Sequence, residues 1–180
     1  MIKLKDLITE DKMPRGLSMG KLQVFSPGTG GDSLRLQPGK FPKGKLRGGS
    51  FMACNNKPNG AFWTSSYKSK FKGSDWTDWK KKEMKRWHSG IGAVFEVQSG
   101  AKILKIRNHK DYMKIQKKFP MRVECPSGEL YLNWKKVSKV YDGVQLAGST
   151  MSIPMLGQWD VESTAWFNMK KLEFIGTTKV

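Results

Sequence analysis

Cysteine, histidine and negative charge are all in short supply in this sequence, and each shortage removes a class of function. The two cysteines, Cys54 and Cys125, are far apart and outside any CxxC pair. That excludes a disulfide-stapled scaffold and points to a reducing, cytoplasmic setting with both thiols free. The two histidines, His88 and His109, add no metal-ligand spacing, so no metal is expected. Both fall at the ends of predicted helices, and at a carboxyl end a histidine more often meets the dipole than a substrate. No apolar run approaches the roughly 18 residues of a membrane span, and Met1 to Lys12 alternates in charge without a signal-peptide core. Walker, GxGxxG, HExxH and GxSxG patterns are missing, which removes the common nucleotide-loop, zinc-protease and serine-hydrolase readings.

What is present is positive charge and aromatic side chains. Thirty-three Lys and Arg against 15 Asp and Glu give +18 over 180 residues, with a pI near 10.0. Such a surface attracts phosphate backbones by counterion release, so a nucleic acid is the expected partner. Plain solubility is the bland alternative. An anionic membrane fits less well, because neither end carries a basic amphipathic helix with a clean apolar face. Seven Trp and an aromatic content of 11% are more than a disordered chain carries, so a folded body is expected.

The patterning divides the chain into an amino-terminal arm or short helix over residues 1–20 and one domain over 21–180. Predicted strands are Leu22 to Phe25, Ala61 to Ser66, Ile91 to Gln98, Lys102 to Arg107, Gly143 to Leu146, Glu162 to Asn168 and Lys171 to Ile175. Shorter ones are read at Ser33 to Gln37 and Ser50 to Cys54. Ser74 caps a helix from Asp75 to His88, Asn108 caps another to about Lys118, and Trp134 to Tyr141 makes a third. Strands outnumber helices and mostly follow one another directly. The expected class is therefore α+β, a single domain with a mixed, split sheet and a few short helices.

Two regions carry the candidate polyanion contacts. One is the long Gly-, Pro- and Lys-rich loop with Lys40, Lys43, Lys45 and Arg47. The other is the Asp75 to His88 helix, where Lys80, Lys81, Lys82 and Arg86 could hold phosphates. Its tryptophans, Trp76, Trp79 and Trp87, read more simply as a core-facing stripe. A separate pairing suggests chemistry. AFWTSS at residues 61–66 and WDVESTAWFN at 159–168 are remote in sequence, and Glu162 stands where a turn enters an apolar strand. A carboxylate held there among aromatics can be aimed; alternatively Asp160 and Glu162 are ordinary turn carboxylates.

Together KPNGAFWTS, the Trp-rich helix, Tyr141-Asp142-Gly143 before a strand, and WDVESTAWFN resemble small phage and bacterial proteins of the ADP-ribosyltransferase superfamily. The resemblance runs from about Lys57 to Phe174 in scattered short motifs. It implies a split β-structure that takes NAD as substrate in a cleft, without metal. By that resemblance Glu162 is the catalytic acid, Ser65 orients it, and Asp160 positions the acceptor. Trp63 and Thr64 belong to the NAD-binding motif, and Phe62 or Trp63 stacks on the nicotinamide. The family's first-strand Arg or His has no counterpart in Leu22 to Ser26, so Arg35 or Arg47 is the candidate to grip the pyrophosphate. The implied function is an NAD-dependent mono-ADP-ribosyltransferase of the kind phages encode, modifying nucleic acid or a nucleic-acid-associated protein. A non-enzymatic basic binding or virion-associated protein on the same fold is the alternative, and a hydrolase that only consumes NAD is a third. Glu162 read as an isolated cleft carboxylate should matter for turnover and hardly at all for folding.

Overall fold

The computed structural model describes residues 22–25, 57–58, 60–68, 73–85, 91–121, 131–147, 159 and 161–179. The expected amino-terminal arm, the strands at 33–37 and 50–54, Asp160, Arg35, Arg47, Lys40, Lys43, Lys45 and Arg86 lie outside the described residues.

Among the described residues nine strands and three α-helices follow in the order β1 Leu22–Phe25, β2 Phe62–Ser66, α1 Asp75–Glu83, β3 Ile91–Val97, β4 Ile103–Ile106, α2 His109–Lys118, β5 Pro120–Met121, β6 Tyr131–Leu132, α3 Trp134–Val140, β7 Gly143–Leu146, β8 Ser163–Trp166 and β9 Leu172–Lys179. The class is α+β, as the direct succession of short strands implied. The helix beginning at Asp75 is shorter than its periodicity suggested, because Met84 leaves helical dihedrals. The β5–β6 pair, two residues per strand, is too short to leave a periodic signal. Capping chemistry sets the helix starts. Ser74 forms a full capping box with Thr77, and the Asn108 and Asn133 side chains accept from Asp111 N–H and Lys136 N–H.

Seven strands form one sheet in the order β4-β7-β8-β2-β1-β3-β9. Only β4–β7 is parallel, and the excursion between them carries α2 and α3. The register shows where the sheet divides. Phe62, Trp63 and Thr64 pair with Trp166, Ala165 and Thr164 of β8, whereas Ser65 and Ser66 pair with Val24 and Gln23 of β1. β2 thus hands over from one neighbour to the other at Thr64/Ser65, beside the point where Glu162 precedes β8.

Period-two alternation along β2 and β8 sends side chains into two cores. On the helix side, Ile106, Val144, Leu146, Ala165 and Trp159 pack with Tyr112, Ile115 and Phe119 around α2 and Trp134 and Val137 of α3. On the other face, Phe62 and Trp166 pack with Ala93, Phe95, Met169 and Leu172. Full burial of each large apolar side chain contributes about 1.5–3 kcal/mol, so these clusters dominate stability. Gly143 lies opposite Trp166 for steric reasons: a Cβ there would sit 3.1 Å from Trp166 Cε3 and 3.2 Å from Ala165 O. Asp142 ties this end together, accepting from Lys102 N–H at 2.9 Å and Asn168 Nδ2 at 2.7 Å. Tyr141-Asp142-Gly143 is therefore a packing and clamping element at the sheet end remote from Glu162.

Candidate active site

The alternation that buries Phe62 also places Thr64 and Ser66 on its face of β2, with Gln23, Gln145, Thr164 and Glu162 as neighbours by register. These polar side chains continue the Phe62–Trp166 core toward the strand ends beside Glu162. Buried polar groups need partners, and all of these except Thr164 have them.

Glu162 is the centre. Its Oε2 accepts from Ser65 Oγ at 2.7 Å and from Ser66 N–H at 2.9 Å. Its Oε1 accepts from Ser66 Oγ at 2.9 Å and from Gln145 Nε2 at 2.9 Å. Two donors on each oxygen fill the four acceptor directions of a carboxylate. Ser65 Oγ also lies 2.9 Å from Glu162 O, which holds the residue's backbone as well as its head. The contact expected between Ser65 and Glu162 is thus direct.

Behind the carboxylate the hydrogen bonds have one direction. Trp166 Nε1 donates to Thr64 Oγ1, and Thr64 Oγ1 donates to Gln23 Oε1, both at 2.8 Å. Gln23 Nε2 donates to Ser66 Oγ at 3.2 Å, and Ser66 Oγ donates to Glu162. Gln145 Nε2 places its second hydrogen on the same Ser66 Oγ at 3.0 Å. The indole can only donate and the ionised carboxylate can only accept, so the orientation of every intervening group is determined. Glu162 is half-buried while Ser65, Thr64 and Gln23 are buried, so this apparatus presents one carboxylate at its open end.

Three members of this set were not singled out in the sequence: Ser66, Gln23 and Gln145. Gln23 in LQVF and Gln145 in GVQL are each the one polar residue of a four-residue apolar strand. That is the signature of a buried amide with a specific partner. Gln23 lies in the first strand directly opposite Ser66.

Several expected roles need correcting. Phe62 is 5% exposed with its ring against Phe95, so it is core and offers no stacking face. Trp63 lies on the helix-side face, edge-on to Trp159 at 4.8 Å with Lys57 over its ring, which is packing again. Thr64 is a relay between Trp166 and Gln23. Lys80 is 2% exposed and cannot face a solvent polyanion. Burial pushes its ammonium below its usual range. Lys81 and Lys82 are exposed, but Lys82 pairs with Asp78 at 3.0 Å. Trp76 and Trp79 stack on each other at 5.0 Å and stay half-buried. His109 sits at the amino end of α2, as the Asn108 cap implied. Glu162 is not the isolated carboxylate expected: it accepts four hydrogen bonds and is a structural group too.

Among the described residues no cluster of His, Cys, Asp and Glu is placed to hold a metal, and no helix is long and apolar enough to cross a membrane. No family model, no curated protein and no solved structure matches the chain.

Proposed function

We propose that this protein is an NAD-dependent mono-ADP-ribosyltransferase in which Glu162 is the catalytic carboxylate and nucleic acid, or a protein bound to it, is the acceptor. The observation that carries the reading is the Ser65–Glu162 contact at 2.7 Å, made between motifs 97 residues apart and backed by a directed network. Cleavage of the nicotinamide–ribose bond releases nicotinamide with the bonding electron pair and leaves an oxocarbenium-like sugar. A carboxylate already fixed beside that sugar stabilises the cation without reorganising, which is where electrostatic catalysis gains most. The acceptor nucleophile then bonds to the anomeric carbon and gives up its proton. Ser65, Ser66 and Gln145 hold the carboxylate; Gln23 and Thr64 hold Ser66 in turn.

The test is incubation of the full chain with NAD labelled in its ADP-ribose part, with DNA, RNA and protein acceptors. Label on an acceptor, lost in Glu162→Gln, supports the reading. Release of free labelled ADP-ribose alone would make the protein a hydrolase. One observation favours the non-enzymatic basic binding or virion-associated reading. Gln23 is neutral and committed at both ends of its amide, so the first strand supplies no cation for a pyrophosphate. Absence of any NAD turnover, with nucleic-acid binding intact, would decide for that reading.

A further inference from the structure

We infer that the outward faces of α2 and α3 form a docking surface for a nucleic-acid backbone. Binding at this surface goes beyond the transferase reading and does not depend on its chemistry. On α2, Tyr112, Ile115, Gln116 and the following Phe119 face the core at helical spacing. Lys110, Lys114 and Lys117 recur at i, i+4 and i+7 on the opposite side, with Lys118 beside them, and all four are exposed. Asn133 N–H donates to Phe119 O at 2.9 Å, which sets the first turn of α3 against the last turn of α2. Exposed Lys135 and Lys136 therefore join Lys117 and Lys118 at one junction, and Lys139 follows. Among the described residues none of these seven lysines forms an ion pair.

Two comparisons separate this face from an ordinary solvated one. α1 balances its charge: Asp75 and Asp78 occupy its first turn, Lys82 pairs with Asp78, and Lys80 is buried. α3 does the opposite, with lysines and no acid in its first turn. Cations there oppose the helix dipole, so helix stability does not account for them. Local rules broken in this way are characteristic of binding surfaces. Phosphates supply the missing negative charge. A membrane would also need apolar anchors, and the one large exposed hydrophobic among the described residues is Val140.

β4 runs parallel to β7 with Ile106 beside Leu146, and Leu146 pairs with Ser163. The amino end of α2 therefore lies at the strand end where Glu162 precedes β8, while α2 itself covers the sheet face opposite to the Glu162 side chain.

The test is fluorescence anisotropy of the full chain with a labelled single-stranded oligonucleotide and its duplex over a salt series. The variant replaces Lys117, Lys118, Lys135 and Lys136 by Gln, and the control replaces Lys81, Lys82 and Lys85. The four substitutions should cut affinity on the order of tenfold or more at moderate salt. They should also flatten the duplex salt slope by roughly 3.6, at about 0.9 per phosphate contact. The α1 control should stay within about threefold of wild type. All four side chains are exposed, so circular dichroism should be unchanged; single Lys→Gln variants, each flattening the slope by about 1, serve if the quadruple does not fold. Unchanged affinity and slope, an equal loss in the α1 control, or binding to phosphatidylserine vesicles without binding to oligonucleotide would each overturn the inference. Failure of the transferase reading is separate: Glu162→Gln should bind nucleic acid like wild type whether or not NAD is turned over.

Discussion

Replacing Glu162 by Gln tests both the chemistry and the architecture, because the side chain keeps its size and loses only charge and one acceptor atom. The amide has one oxygen for two demanding positions. At the Oε2 position it must accept from Ser66 N–H, a backbone donor that cannot turn round, so the amide oxygen goes there. Its NH2 group then stands at the Oε1 position, facing Gln145 Nε2 and Ser66 Oγ, both donors. Ser66 can rotate, but Gln145 must flip its amide, and that leaves Gln145 Nε2 short of its two acceptors. Charge-assisted bonds also become neutral ones, a loss of roughly a factor of two in each. One released polar donor costs about 1–3 kcal/mol when buried. Glu162 is half-exposed and water takes up part of that demand, so about 1–2 kcal/mol is expected. For a chain of this size that is a fall in Tm of roughly 2–8 °C. On the transferase reading proposed above, turnover of NAD should fall on the order of 10²-fold or more, with substrate binding little changed. Thermal unfolding by circular dichroism and steady-state kinetics on the same samples measure both. A Tm within about 1 °C of wild type would refute the four-donor network. Full activity in the variant would move the chemistry to another residue.

Gln145→Met keeps volume and removes two hydrogen bonds to the Ser66–Glu162 pair; kcat should fall about tenfold with KM for NAD nearly constant, and an equal rise in KM would make it a binding residue instead. Thr164 is fully buried with Oγ1 unpartnered, so Thr164→Val should leave Tm unchanged or raise it by a few degrees, up to about 1 kcal/mol; a clear loss in Tm would show that the hydroxyl is bonded. Lys80, whose pKa is lowered from 10.5 by burial, binds fewer protons folded than unfolded between its two pKa values. Wild-type stability should therefore rise with pH through that window, up to 10.5. The Tm of Lys80→Met relative to wild type should accordingly decline from neutral pH toward 10.5, and a pH-independent difference would contradict a desolvated ammonium.

Local chemistry made much of the fold legible in advance. β1 and β7 have their expected bounds, Ser74 and Asn108 cap the helices they were read to cap, and Glu162 stands at the entry to β8. Caps, turns and period-two alternation depend on residues a few positions apart, so one sequence contains them. Pairing does not work this way. That Gln23 lies opposite Ser66, and Gln145 diagonal to Glu162, depends on sheet order and register, which join segments 43 and 17 residues apart. A lone Gln in an apolar strand signals a buried partner without naming it. Burial of Phe62 and Lys80 likewise followed from which face of β2 and α1 met another layer, a decision made by packing. Charge, the strand-rich class and the candidate carboxylate are thus properties of local sequence. Which donors surround that carboxylate, and which lysines face solvent, depend instead on contacts between segments that the chain brings together by folding.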